Sequence, residues 1–243
     1  MLDPQAREAI EQAGLQLDLH LLGGARPARP VGNFRIATKG SRIVTAGGLR
    51  IGGDGKITAD GQGSLVYLAP DVTLKDTAIQ INGANCRVFI GPGVRMKQVI
   101  LKLSGDDCLV ALGAKTTWES GACICTAGQR VLIGNDCMFS NDVVMRTFDG
   151  HGIWETASGK NLNPPGDVTI SHHVWLGNGS RINKGTRIAQ GSVVGQRSIV
   201  SGVLDGNCIY AGVPAKKLKE GIHWSRSWPE DDSQEMYRAA LPS

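Results

Sequence analysis

Six aliphatic residues in the latter part of the chain stand six positions apart without a slip: Ile170, Leu176, Ile182, Ile188, Val194 and Val200. Each is followed by a small or short polar residue: Ser171, Gly177, Asn183, Ala189, Gly195 and Ser201. Neither the 3.6-residue period of an α-helix nor the two-residue period of an isolated strand spaces apolar residues this way. A period of six arises when three short strands, each ending in a turn, make one triangular coil of about 18 residues, and coils stack about 4.8 Å apart. The aliphatic side chain then points into the prism, and the small residue after it lets the backbone turn the corner. The residues four places beyond the aliphatic ones (Val174, Ser180, Thr186, Ser192, Ser198) are expected to face inward as well. Weaker units recur upstream: Ile51-Gly52 with Ile57, Leu68 with Leu74, Ile90-Gly91 with Met96, Leu112-Gly113 with Trp118, and Ile133-Gly134 with Phe139 and Met145. The reading is an all-β solenoid over residues 43–216.

Composition agrees with many turns and few helices: 33 glycines and 10 prolines in 243 residues, with aromatics at only 5%. One helix is expected, over residues 3–22, where Asp3-Pro4 gives a start and Ala6, Ala9, Ile10, Ala13 and Leu17 recur at helical spacing. Residues 1–42 thus read as a helix with its connector, and 217–243, with Trp224 and Trp228, as an extension serving trimer packing or as a lid. No apolar run approaches the ~20 residues of a membrane helix, and no secretory leader opens the chain; the expectation is a cytoplasmic protein. A net charge of +4 is too weak to imply nucleic acid. The six cysteines include only a CxC pair, Cys123 and Cys125, and read as buried thiols without a metal.

The hexads break once. Met145 and Ile170 are 25 apart, not a multiple of six, and the segment 146–167, RTFDGHGIWETASGKNLNPPGD, has loop composition. So long a loop inside a compact domain is commonly functional.

The hexads, the RTFDGH run (Arg146 to His151), the following HVWLG (His173 to Gly177) and the NCIYAGVPAK run (Asn207 to Lys216) together resemble the hexapeptide-repeat acyltransferases, closest to the O-acetyltransferases of sugars and capsular polysaccharides. The resemblance is close over residues 131–220 and fold-level over 43–130. It implies a left-handed parallel β-helix, an exception to the right-handed rule for parallel crossovers, assembled as a homotrimer.

It also implies direct acetyl transfer from acetyl-CoA to an acceptor hydroxyl of a sugar or glycan. A hydroxyl needs a base whose pKa lies near the working pH, and His151 matches the family's catalytic histidine. Trp175, 24 residues further on, matches its tryptophan, and Asn178 the position whose amide faces the thioester oxygen. Asp149 and Glu155 are the loop carboxylates able to orient the histidine. Gly177, Gly195 and Gln196 match backbone positions along the pantetheine arm; Val213, Pro214, Lys216 and Lys219 match the adenine and phosphate end. The family's V-T-K-D turn is Val200-Ser201-Gly202-Val203 here, which leaves the 3′-phosphate to Arg197 or Lys217. Asn141, Arg146 and Lys160 are candidates for touching the acceptor. His172 and His173 are expected at corner and solvent positions.

Three other functions are compatible with a solenoid. A carbonic anhydrase of this fold needs three histidines converging on a metal, which five histidines with 172 and 173 adjacent do not supply. An ice-binding or purely structural solenoid would show a regular threonine array and no loop. An N-acyltransferase acting on an amino-sugar nucleotide uses the same donor and stays as the alternative.

Overall fold

The computed structural model describes residues 8, 11, 24–126 and 128–227. The helix expected over residues 3–22 lies outside them, apart from Glu8 and Glu11, which are helical; Trp228 lies outside as well. The described chain is a β-solenoid whose strands fall into three sheets of nine, nine and eight strands. Each coil contributes one strand to the first sheet, turns into the second, then into the third, and returns. The coil entered at Arg42–Thr45, for example, continues through Arg50–Gly52 and Lys56–Ala59. Stacked strands pair in parallel throughout, except where Arg26–Pro27 lies antiparallel on Arg42–Thr45 and Ala215–Glu220 folds back antiparallel on Cys208–Gly212. The first parallel strand, Arg35–Thr38, pairs with Lys56–Ala59, upstream of the residue-43 start that the repeats mark.

The hexad residues are in register from end to end. Leu68, Ile90, Leu112, Ile133, Ile170, Ile188 and Leu204 form one column down the first sheet. Leu74, Met96, Trp118, Phe139, Leu176, Val194 and Tyr210 form the column of the second. Ile57, Ile79, Leu101, Cys123, Met145, Ile182 and Val200 form that of the third. All of these are buried, as are Val174, Ser180, Thr186, Ser192 and Ser198.

The 18-residue coil length holds only in part. Ile170 pairs with Ile188 at that spacing, but Leu68, Ile90 and Leu112 pair 22 apart. The cause is longer strands: Val99–Ser104 buries Val99, Leu101 and Leu103, and Gly121–Thr126 buries Cys123 and Cys125. The first sheet of these coils also buries outward residues, Val44, Tyr67, Phe89, Ala111 and Leu132, which is why its strands read as unbroken apolar runs. All six cysteines are free and buried.

Candidate active site

The interrupted repeat lies at the edge where the third sheet turns into the first, between Val143–Arg146 and Val168–Ile170. That edge is the vertex of the prism opposite the second sheet. The loop it carries is exposed from residue 149 through 160 and includes Ile153, Trp154 and Leu162, which are 56%, 62% and 54% exposed. Its root is fastened by Lys184 on the next coil, whose Nζ lies 2.6 Å from Asp149 Oδ2 and donates to the Asn163 carbonyl at 2.7 Å. Asn163 Nδ2 donates both to Asp149 and to the carbonyl of His151, each at 2.9 Å. The hydrogen bond from Lys184, followed by that from Asn163, holds the Asp149 carboxyl below its ordinary range.

His151 itself is exposed, and neither loop carboxylate bonds its ring among the described residues. Asp149 serves the loop's shape, and Glu155 accepts from Ser158. Lys160 is exposed, and its carbonyl accepts from the Glu155 amide at 2.9 Å. Arg146, half-buried, ends the strand that enters the loop.

Trp175 opens the second-sheet strand Trp175–Leu176, side chain outward and 37% exposed. It and His151 are thus rooted on opposite sides of the prism. Beside Trp175, the edge between second and third sheets gathers most of the other expected residues into one ladder. The Gly179 amide donates to the Asn141 carbonyl at 2.9 Å, and the Arg197 amide to the Asn178 carbonyl at 2.7 Å. Gly177 and Gly195 are needed for this stacking. A Cβ on Gly177 would stand 2.7 Å from the Gln196 nitrogen, and one on Gly195 2.9 Å from the Cβ of Ala211. The amides on either side of Asn178 and Gln196 are all used, those of 177, 179, 195 and 197. Those of Asn178 and Gln196 have no acceptor among the described residues. Two aligned, unpaired N–H donors are what an oxyanion or an amide-bearing ligand requires.

The antiparallel hairpin supplies the remaining expected residues. Val213 and Pro214 occupy its turn, and Lys216 and Lys219 are exposed on Ala215–Glu220. Lys217 is not free for a phosphate, because its Nζ lies 2.9 Å from Asp205 Oδ2 and 3.5 Å from Glu220.

One expectation is overturned. His173 is at a corner but not in solvent: it is 8% exposed, with φ of 52°, and stacked on Trp224. His172 is half-buried and accepts the Asn135 amide on Nδ1 at 3.0 Å; burial pushes its pKa down. Sequence reasoning also missed Lys184, whose role depends on partners 21 and 35 residues back along the chain, Asn163 and Asp149. Among the described residues no group of three or more His, Cys, Asp and Glu side chains is placed to hold a metal, and no helix is long and apolar enough to cross a membrane.

A parallel β-solenoid of about eight turns matches the architecture of the left-handed β-helix acetyltransferases. Within that class, the homologues of the chain are polysialic acid O-acetyltransferases. It is 47% identical over 116 residues to one from Escherichia coli O1:K1, a match covering 48% of this chain and 38% of that protein. It is 41% identical over 114 residues to one from Neisseria meningitidis, covering 46% and 53%. The matches thus span about half or less of each curated relative. The crystal structure of the polysialic-acid-specific acetyltransferase NeuO superposes with a TM-score of 0.78 at 28% identity, covering 86% of this chain and 99% of that one. The polysialic acid O-acetyltransferase OatWY does so at 0.76 and 28%, covering 83% and 95%. No family model matches the chain.

Proposed function

We propose that the protein is a cytoplasmic enzyme that transfers an acetyl group from acetyl-CoA to a hydroxyl of a polysaccharide. What carries the reading is the likeness to NeuO over 86% of this chain and 99% of that one. The acceptor hydroxyl gives its proton to the imidazole of His151 as its oxygen attacks the thioester carbon. The carbonyl oxygen becomes an oxyanion, which the free Asn178 amide and the Trp175 indole are disposed to receive. Collapse expels CoA as its thiolate, which takes up a proton, and leaves the acetyl ester on the sugar.

The backbone approach allowed by Gly177 and Gly195, with the unpaired Gln196 amide, fits an extended pantetheine arm along the second-to-third edge. The exposed Lys216 and Lys219 suit phosphates; with Lys217 held by Asp205, Arg197 is the remaining cation for the 3′-phosphate. Asn141, at the top of this ladder, and Arg146 and Lys160 at the loop belong to the acceptor side. Because His151 and Trp175 are rooted on opposite sides of one prism, a complete site is expected between neighbouring copies, and the trimer is the assembly proposed.

The test is CoA release from acetyl-CoA in the presence of polysialic acid and a panel of other glycans and sugar nucleotides, wild type beside His151→Ala. Histidine-dependent release with a base-labile product is expected. No release with any acceptor, joined to no CoA binding by calorimetry, would overturn the proposal; a base-resistant amide product would move it to the amino-sugar alternative.

A further inference from the structure

Past the hairpin, the chain turns back and runs along the edge between first and second sheets, across the coils and not around them. Ile222 N donates to the Asn207 carbonyl at 2.9 Å. Trp224 sits on His173, and Arg226 reaches coils still nearer the N-terminus. Its Nε donates to Asp136 Oδ1 at 2.9 Å, Nη1 to Thr117 Oγ1 at 2.9 Å and Nη2 to the Cys137 carbonyl at 2.8 Å. Six residues thereby cross several coils in an extended strap.

The fastening at its centre is reciprocal. The Trp224 indole N–H donates to the His173 carbonyl at 3.0 Å, while His173 Nε2 lies 2.9 Å from the Trp224 carbonyl. The rings stack with centroids 4.0 Å apart and planes 13° from parallel. His173 Nδ1 lies 2.7 Å from Asp136 Oδ2. Both ring nitrogens of His173 are thus engaged, Nδ1 by the Asp136 carboxylate and Nε2 by the Trp224 carbonyl. Both Asp136 oxygens are thereby engaged, one by His173 and one by Arg226.

Trp224 also meets Trp175, with ring centroids 5.9 Å apart at 48°. The neighbours of Trp175 in register along its own sheet are Met138 and Val193, which lie above and below it; Trp224 is the group that flanks it from the side. We propose that this strap sets the orientation of Trp175, so that Trp224, His173, Asp136 and Arg226 are positioning residues for the thioester end of the donor site. The inference rests on Trp175 belonging to that site, as proposed above. A wall that must meet a reacting thioester within a fraction of an ångström gains from such a backing, and misplacement by about 1 Å can cost about 100-fold.

The experiment uses the full chain with Trp224→Ala, Trp224→Phe and Arg226→Ala, and a chain ended after Gly221. Three quantities are read: the coupled tryptophan band in circular dichroism, CoA binding by calorimetry, and kcat and KM for acetyl-CoA. The expected result is loss of the coupled band and a fall of about tenfold in kcat/KM for acetyl-CoA in Trp224→Ala, with the solenoid spectrum intact. Trp224→Phe, which keeps a stacked ring, should recover most of the activity. Arg226→Ala should act in the same direction and more weakly. Should the shortened chain fail to fold, the three point variants decide. The proposal is overturned if the coupled band disappears while kcat/KM stays within twofold of wild type, or if Trp224→Ala leaves the band unchanged. Wild-type protein that neither binds CoA nor acetylates any acceptor would instead remove the acetyltransferase reading, and this role with it.

Discussion

The N-terminal and C-terminal halves of the solenoid share three columns of inward residues but differ in girth. Coils before the loop take 21 to 23 residues and put aromatic and sulfur side chains inside; Trp118 and Phe139 meet edge to face at 5.4 Å. Coils after it take 18 or 16 and, until Cys208 and Tyr210 in the last one, fill the interior with Ile, Leu and Val, with Ser180, Thr186, Ser192 and Ser198 at the corners. Every position expected to touch CoA lies on the narrow coils or the hairpin beyond them. Two-residue strands joined by short turns leave corner amides such as those of Asn178 and Gln196 outside the ladder, where a ligand can use them; six-residue strands use theirs in pairing. On the proposed function, donor binding falls to the narrow half, while the wide half is mainly scaffold and lends Asn141 and Arg146 to the acceptor side.

The sharpest test of that division is His151→Ala. Loss of a general base should lower kcat by about 10²- to 10⁴-fold with the unfolding midpoint unchanged, since the side chain is exposed. Trp118→Ala should do the reverse, destabilising by about 3–5 kcal/mol, with activity per folded molecule retained; Ile188→Val in the narrow half should cost only about 0.5–1.5 kcal/mol. Denaturant titration beside activity measures both, and a Trp118 variant that is folded yet inactive would erase the distinction. Lys184→Ala should unfasten the loop, lowering kcat/KM for the acceptor about tenfold at a stability cost below about 1 kcal/mol, because Asp149 is well exposed.

The smallest effect concerns acid. Burial alone would raise the Asp136 pKa, but the hydrogen bond from His173 and the charge and hydrogen bond of Arg226 outweigh it and lower it. A depressed folded pKa contributes stability above the unfolded value of about 3.9 and loses it as pH falls through the folded value. Wild type should therefore melt above Asp136→Asn near neutrality, and the two curves should converge below about pH 4. A gap that persists into strong acid would exclude the carboxylate as its source.

The narrow half was legible because one inward residue per strand writes a clean period of six. In the wide half the strands bury residues two apart, as Ile79 with Ile81, and 22 is not a multiple of six, so hexads surface only where a corner glycine such as Gly91 or Gly113 follows the last inward residue. In the ladder, Asn178 and Gln196 were legible as motif matches, and the structure sets Asn141 and Arg197 beside them. The strap was not readable: Trp224 meets His173 51 residues away and Arg226 meets Asp136 90 away, and neither contact leaves a period in the sequence. The same holds for Lys184, an ordinary lysine until the loop folds over it.

A stack of parallel strands ends in a row of unsatisfied backbone donors and acceptors, an open template on which another such stack could grow. On the second sheet the last parallel strand, Cys208–Gly212, does not present that row, because Ala215–Glu220 pairs with it in the opposite direction. The new outer strand reads AKKLKE, with five exposed residues that include three lysines and a glutamate. A second molecule approaching end-on meets like charge and the wrong strand polarity. The hairpin is in this sense a terminator of polymerisation as well as a wall for a ligand, and it keeps a fold built by repetition from repeating across molecules.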